Sequence, residues 1–189
     1  METKIDLDIE FPNILRDPEY FKTLIVEETG IAHFKLSNSV LLPEYLTWID
    51  SLGLEIKLAE LFYCGAGAEI FVHSDEIKTP NCCKMNWAYC DSEVAMDWYA
   101  IAPGAEIEQR DNTIGGYYLS CDPEKYSLYK SEVLGRPSLV NVSDLHGVKN
   151  TSKDPWWCVT VVLRKKNSDE HRISWNELLE IVRPWIKTI

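Results

Sequence analysis

A chain of 189 residues, 26% of them charged, has the length and the composition of one globular unit with a sizeable core. Its net charge of −11 argues against a nucleic-acid backbone or an anionic membrane surface as the main partner. No apolar run approaches a membrane span, and METKIDLDIEFPNIL lacks the charged-then-apolar order of a secretory leader, so the expected setting is cytoplasmic.

The expected organisation is a single domain over 1–189: mostly helical packaging over 1–53, a β core over 54–165 and a C-terminal helix over 174–188. Asp17 before Pro18 reads as an N-cap with a first-turn proline, opening a helix through Tyr20, Phe21, Leu24 and Ile25. A second helix starts at Pro43, with Tyr45, Leu46, Ile49 and Leu52 as its apolar stripe and Gly53 as its stop. These stripes read as core contacts.

From Leu54 the pattern alternates. LEIKLAELFYC sets Leu54, Ile56, Leu58 and Phe62 on one face, with Glu55 and Lys57 on the other. Gly65 and Gly67 make a turn, and AEIFVHSD is a short strand with His73 at its end. Further strands are predicted at 84–90, 96–102, 114–120, 138–142 and 156–164. Turns at Thr79-Pro80-Asn81, Pro103-Gly104, Gly115-Gly116 and Lys153-Asp154-Pro155 separate them. Many short strands in succession point to a mainly β sandwich or barrel with flanking helices, rather than a parallel α/β sheet. Ser174-Trp175-Asn176-Glu177 is a capping box before the C-terminal helix, which Pro184 interrupts.

Six cysteines, at 64, 82, 83, 90, 121 and 158, form no CxxC pair, so they read as buried small apolar residues or idle thiols. Neighbouring Cys82 and Cys83 lack the second pair that a zinc site requires. Asn141-Val-Ser143 and Asn150-Thr-Ser152 match the acceptor triplet for N-linked sugars, a match that is idle without a secretory leader.

Of four histidines, His33 and His171 read as structural, and His171 lies in the charged loop SDEHR. His73 and His146 differ because each follows a strand and has polar neighbours. His73 and Asp75, two residues apart with Ser74 between them, and His146 downstream have the composition of a facial Fe(II) site with open positions. Two readings stand at this point: metal ligands, or hydrogen-bonded structural histidines beside a chance HxD triplet.

The segments LFYCGAGAEIFVHSD, KMNWAYCDSEVAMDWY and PSLVNVSDLHGVKNTSKDPWWCVTVVLR, in that order, carry a family resemblance over most of the chain from about Leu41. They resemble the iron- and 2-oxoglutarate-dependent oxygenases, on the aspartyl/asparaginyl hydroxylase-like and prolyl-hydroxylase-like side. The resemblance implies a double-stranded β-helix (jelly roll, cupin-like) with Fe(II) held in its mouth by His73, Asp75 and His146. It also implies 2-oxoglutarate as cosubstrate, and hydroxylation of a small molecule or a protein side chain.

One family feature is missing. An arginine about ten residues after the distal histidine, beside a proline, normally meets the far carboxylate through paired hydrogen bonds. Here that position, after Pro155, is Trp156. Arg164 lies eight residues further along the strand, about 26 Å away, which is too far to substitute. Lys84 is the alternative cation, with Asn86 one pleat along on the same face and Tyr63 and Trp87 as pocket aromatics. The other reading of Lys84 is a solvated strand residue. The missing arginine favours a cupin-like binding or structural protein that has lost turnover; the His73, Asp75 and His146 set favours the hydroxylase.

Overall fold

The computed structural model describes the chain except residues 1, 25, 28, 76–80, 90–93, 112–116, 136 and 188–189. Its strands are β1 (Lys4–Asp6), β2 (Ile31–Leu36), β3 (Leu54–Cys64), β4 (Glu69–His73), β5 (Cys83–Tyr89) and β6 (Ala95–Ile101). They continue with β7 (Glu108–Asp111), β8 (Tyr117–Ser120), β9 (Tyr126–Val133), β10 (Ser138–Asn141), β11 (Leu145–Lys149) and β12 (Trp156–Lys165). The α-helices are α1 (Pro43–Ser51) and α2 (Trp175–Val182). None of the described helices is long and apolar enough to cross a membrane.

Two antiparallel sheets face one another. The larger has the order β1-β10-β5-β12-β3-β2, and the smaller β4-β11-β6-β9. Taking β3, β4, β5, β6, β9, β10, β11 and β12 as eight successive core strands, alternate strands fall in opposite sheets except where the chain turns back at β6–β9. That interleaving is the double-stranded β-helix, a jelly roll. The β7–β8 hairpin is an insertion between β6 and β9.

Pleating sorts the side chains of the larger sheet. Leu61 and Tyr63 on β3, Met85 and Trp87 on β5, and Val159 and Val161 on β12 pack beneath Tyr45 and Ile49 of α1 and Trp175 and Leu178 of α2. Alternate residues, including Cys64, Trp156 and Cys158, turn between the sheets. β12 is covered on both faces, so WWCVTVVL reads as a continuous buried run rather than an alternation.

Both α-helices start where their sequences predict, but α2 stops at Val182, short of the expected span to 188, and a 3-10 turn, Arg183–Trp185, follows at Pro184. Pro43 opens α1, and Gly53 follows it at φ +72. Ser174 and Glu177 form the reciprocal capping box of α2. Elsewhere in 1–53 the structure differs from helical packaging. The helix expected after Asp17 is a single 3-10 turn, Tyr20–Thr23, with Ile25 outside the described residues. Tyr20, Phe21 and Leu24 are only partly buried against the core, with Phe21 5.2 Å from the ring of Trp157, and so short a segment gains too little packing to extend into further turns. Residues 31–36 form β2, an edge strand paired to β3.

The cysteines at 64, 82, 83 and 158 are buried free thiols, and Cys121 is half-buried. The turns at Thr79-Pro80 and Gly115-Gly116, and Cys90, lie outside the described residues.

Candidate metal centre

His73 ends β4, and the next two residues are clamped from both sides. Ser74 exchanges two backbone hydrogen bonds with Leu119 of β8, each 2.8 Å. The Asp75 N–H donates to Val142 O at 3.0 Å, and the Ser74 hydroxyl donates to Ser143 O at 2.8 Å. In extended backbone, residues two apart share a face, so this clamp turns His73 and Asp75 together into the space between the sheets.

His146 lies within β11, directly opposite His73 in the register; the sequence reading had it following a strand. The pairing slips immediately afterwards, between His146 and Val148. Gly147 occupies the slip: a Cβ there would lie 3.1 Å from Ile70 O and 3.3 Å from Val72 Cγ2. Glycine lets β4 and β11 approach this closely without crowding, so the branched side chain of Gly147→Val should push the strands apart and move His146 away from His73. The expected result is a fall of about tenfold or more in divalent-metal affinity, together with about 1–3 kcal/mol of lost stability. Calorimetry and thermal melting would check both; unaltered metal affinity would show that Gly147 does not set the site.

Second contacts fix both imidazoles. His73 Nδ1–H donates to Phe71 O at 2.8 Å, and His146 Nδ1–H donates to Asp144 O at 2.9 Å. Each ring is thereby held in the tautomer that offers Nε2 as a ligand. His73 Nε2 stands 3.4 Å from Asp75 Oδ1, close to the separation of two neighbouring ligands on one ion. The three donor groups of His73, Asp75 and His146 lie within 4.8 Å of one another, the one such cluster among the described residues. Two neutral imidazoles and one hard carboxylate fit a divalent first-row metal with an open coordination face.

Lys84 on β5 reaches the same place. Its Nζ lies 2.7 Å from Asp75 Oδ2 and 2.8 Å from Glu60 Oε2. Glu60 on β3 also accepts from Thr160 Oγ1 at 3.3 Å and pairs with His33 Nε2 at 3.0 Å. The His33 ring in turn stacks on Phe62, with centroids 4.1 Å apart. Burial alone would raise the Glu60 carboxyl, but the Lys84 ammonium and the His33 hydrogen bond outweigh it and hold it at about 2. Asp75 is likewise kept well below the ordinary carboxylate range, against its desolvation, chiefly by the Lys84 ammonium. Burial lowers Lys84, yet its two carboxylates more than reverse that and raise it. His146 is pushed down to about 3, first by burial and then by neighbouring His73. The site thus holds ionised carboxylates and neutral ligand imidazole, the forms that a metal requires.

The cavity between these groups measures about 40 Å³, against the 10–15 Å³ that one water needs. Lys84, Asn86 and Trp156 line it, and so do Phe62 and Thr160. Lys84 is therefore buried in the site and is not a solvated strand residue. Tyr63 does not face the cavity: its ring lies 4.5 Å from Trp157, on the helix-covered side. The reason is a register shift in which Leu58 pairs with Val162 but Ile56 pairs with Leu163, so Lys57 is an extra residue. Beyond that bulge the parity of β3 is reversed, and Glu60 and Phe62 point inward. Trp87 also packs on the far face, its indole N–H donating to Phe11 O at 2.8 Å. Glu60 and Asp144 had escaped the sequence reading. A lone carboxylate within the apolar run LAELFYC was the available sign for Glu60; nothing marks Asp144, which contributes through its backbone.

No family model and no curated protein matches the chain. Among solved structures it is similar to oxalate decarboxylase from Bacillus subtilis at pH 4.6. The identity is 13%, with 84% of this chain and 31% of that one covered, at a TM-score of 0.38. A structure of the same enzyme used to assign its Mn(II) centres gives 14% identity, 82% and 30% coverage, and a TM-score of 0.36. The chain thus spans about a third of the length of the proteins it matches. At these TM-scores the likeness carries no argument, and the strand order is what defines the class: a cupin-like double-stranded β-helix with a candidate metal centre.

Proposed function

We propose that this chain is a mononuclear non-haem metalloprotein, with Fe(II) as its resident ion and oxidative chemistry as its activity. One observation carries the reading: two imidazoles, each with Nδ1–H tied to a backbone carbonyl, converge with Asp75 inside a closed β-helix. His73 Nε2, His146 Nε2 and Asp75 Oδ1 would hold the ion. When bound, it would supply Lewis acidity and open positions for a chelating ligand and oxygen. The rest is done by the chain. Lys84 occupies Asp75 Oδ2 and keeps that carboxylate a one-oxygen ligand. Phe62, Ile70, Met96, Leu134 and Val148 form an apolar wall that keeps bulk water from the centre.

The narrower reading is a 2-oxoglutarate-dependent dioxygenase hydroxylating a small molecule or a protein side chain; the three-part sequence resemblance and the open ligand face support it. A cupin-like metal-binding protein without 2-oxoglutarate turnover is favoured by two observations. Trp156 stands where an arginine is expected, and Lys84 already has two carboxylate partners. The net charge of −11 speaks against a nucleic-acid partner on either reading.

Anaerobic titration of the full chain with Fe(II) by calorimetry should show one ion per chain. Adding 2-oxoglutarate and recording the visible spectrum then tests for the weak charge-transfer band of a chelate. Succinate formed on admitting air would establish the dioxygenase. Iron uptake with no such band leaves the metalloprotein and removes 2-oxoglutarate; no iron uptake removes the metal reading.

A further inference from the structure

The charges in and behind the cavity limit what an open metal face can accept. Counting the trio joined by ion pairs of 2.7 and 2.8 Å, Asp75 and Glu60 contribute two negative charges and Lys84 one positive; Arg172 also acts electrostatically on Lys84 but does not line the cavity. With the imidazoles neutral, the group stands at minus one. A divalent ion brings it to plus one, which a single monoanion cancels and a dianion overshoots. In a buried site an uncompensated charge is costly. Glu60 is the decisive residue, because without its carboxylate the same site would stand at plus two and suit a dianion.

Geometry leads to the same result. Lys84 is the one cation among the described residues lining the cavity, and its ammonium is already shared by two carboxylates fixed in the fold. The remaining wall offers a distant carboxylate no second cation: Phe62, Ile70, Met96, Leu134, Val142 and Val148 are apolar, and Asn86, Trp156 and Thr160 are neutral. Apart from Asp75 Oδ2, which is ion-paired with Lys84, two buried polar atoms of described lining residues have no hydrogen-bond partner, Trp156 Nε1 and Asn86 Oδ1. The indole N–H is a neutral donor for one oxygen of a bound acid, at the chain position where the family resemblance implies a guanidinium.

We propose that the metal takes a small monocarboxylate that chelates through a 2-oxo or 2-hydroxy group and is apolar at its far end, and that Glu60, acting through Lys84, excludes dicarboxylates. This rests on the metal reading above and narrows the ligand of that same site.

The test compares 2-oxobutanoate with 2-oxoglutarate, which share a chelating head and differ in the far carboxylate. Both are titrated anaerobically at pH 8 into the full chain loaded with Fe(II) or Co(II), and followed by calorimetry and visible absorption. The wild type should bind 2-oxobutanoate about tenfold or more tighter, and Glu60→Gln should shift that ratio toward 2-oxoglutarate by about tenfold or more. Equal or tighter binding of 2-oxoglutarate to the wild type overturns the proposal. So does a ratio that Glu60→Gln leaves unmoved, or binding of neither acid to the metal-loaded chain. If Glu60→Gln does not fold, the wild-type ratio decides alone. Metal uptake is measured first: its absence ends the metal reading and this proposal together, whereas uptake with the wrong ligand preference ends only the proposal.

Discussion

His146→Ala is expected to lower Fe(II) affinity by well over about a hundredfold, beyond the 10–100-fold that loss of a supporting residue around a metal typically causes. The ligand removed is one of three, and no other described residue can replace it, since the remaining cluster is only His73 and Asp75. Asp75→Ala should behave alike. Asp97→Ala is the matched control, because Asp97 lies on β6 opposite Gly147 and takes no part in the cluster. Direct titration with the metal reads all three variants. Equal affinities for Asp75→Ala and Asp97→Ala would take Asp75 out of the centre.

The second large effect concerns stability. Lys84→Met should destabilise the metal-free protein by about 3–5 kcal/mol, the usual consequence of removing one partner from a buried ion pair. Lys84 is only 6% exposed and Glu60 4%, so water cannot compensate the stranded carboxylates. Denaturant melts of the single variant, and of Lys84→Met combined with Glu60→Gln, separate the two contributions. A loss under about 1 kcal/mol would place the pair among screened surface bridges.

The acid limb of stability follows from the same groups. Glu60 is depressed from 4.5 to about 2, so its contribution is complete above 4.5 and disappears as pH falls toward 2. His146 is depressed from 6.5 to about 3, so the unfolded chain takes the proton first. Its contribution is present above 6.5 and is lost as pH falls toward 3. The metal-free wild type should therefore begin to weaken below about 6.5. His146→Gln should delay that onset, and Glu60→Gln should flatten the part between 4.5 and 2.

Much of this was legible in the sequence because two periodicities differ so plainly. Alternation from Leu54 onward separated strands from the helical stripes of α1 and α2, and the capping box at Ser174 was visible as letters. Same-face placement of Lys84 with Asn86 needed only pleat parity and an unbroken strand. Tyr63 failed for want of that second condition. The bulge at Lys57 exists because β3 and β12 pair across unequal lengths, and no local pattern in LEIKLAELFYC reports it. The edge strands stayed hidden for a different reason. β2 and β9 are solvated on much of both faces, so IAHFKL and YSLYKSEV lack a clean apolar stripe. His146 inside β11 was obscured by burial on both sides, which removes alternation from LHGV.

The two Asn-x-Ser triplets have a use that excludes another. Asn141 Oδ1 accepts from both the N–H and the hydroxyl of Ser143, and Asn150 Oδ1 does the same with Ser152. Asn150 Nδ2 also donates to the carbonyls of Cys64, Gly65 and Asp154. Both asparagines are wholly buried. An oligosaccharide on either amide would need space that the folded chain does not have, and on Asn150 it would strip the turn before β12 of its donors. Whatever compartment the polypeptide passes through, carrying a glycan at these positions and reaching this fold are mutually exclusive.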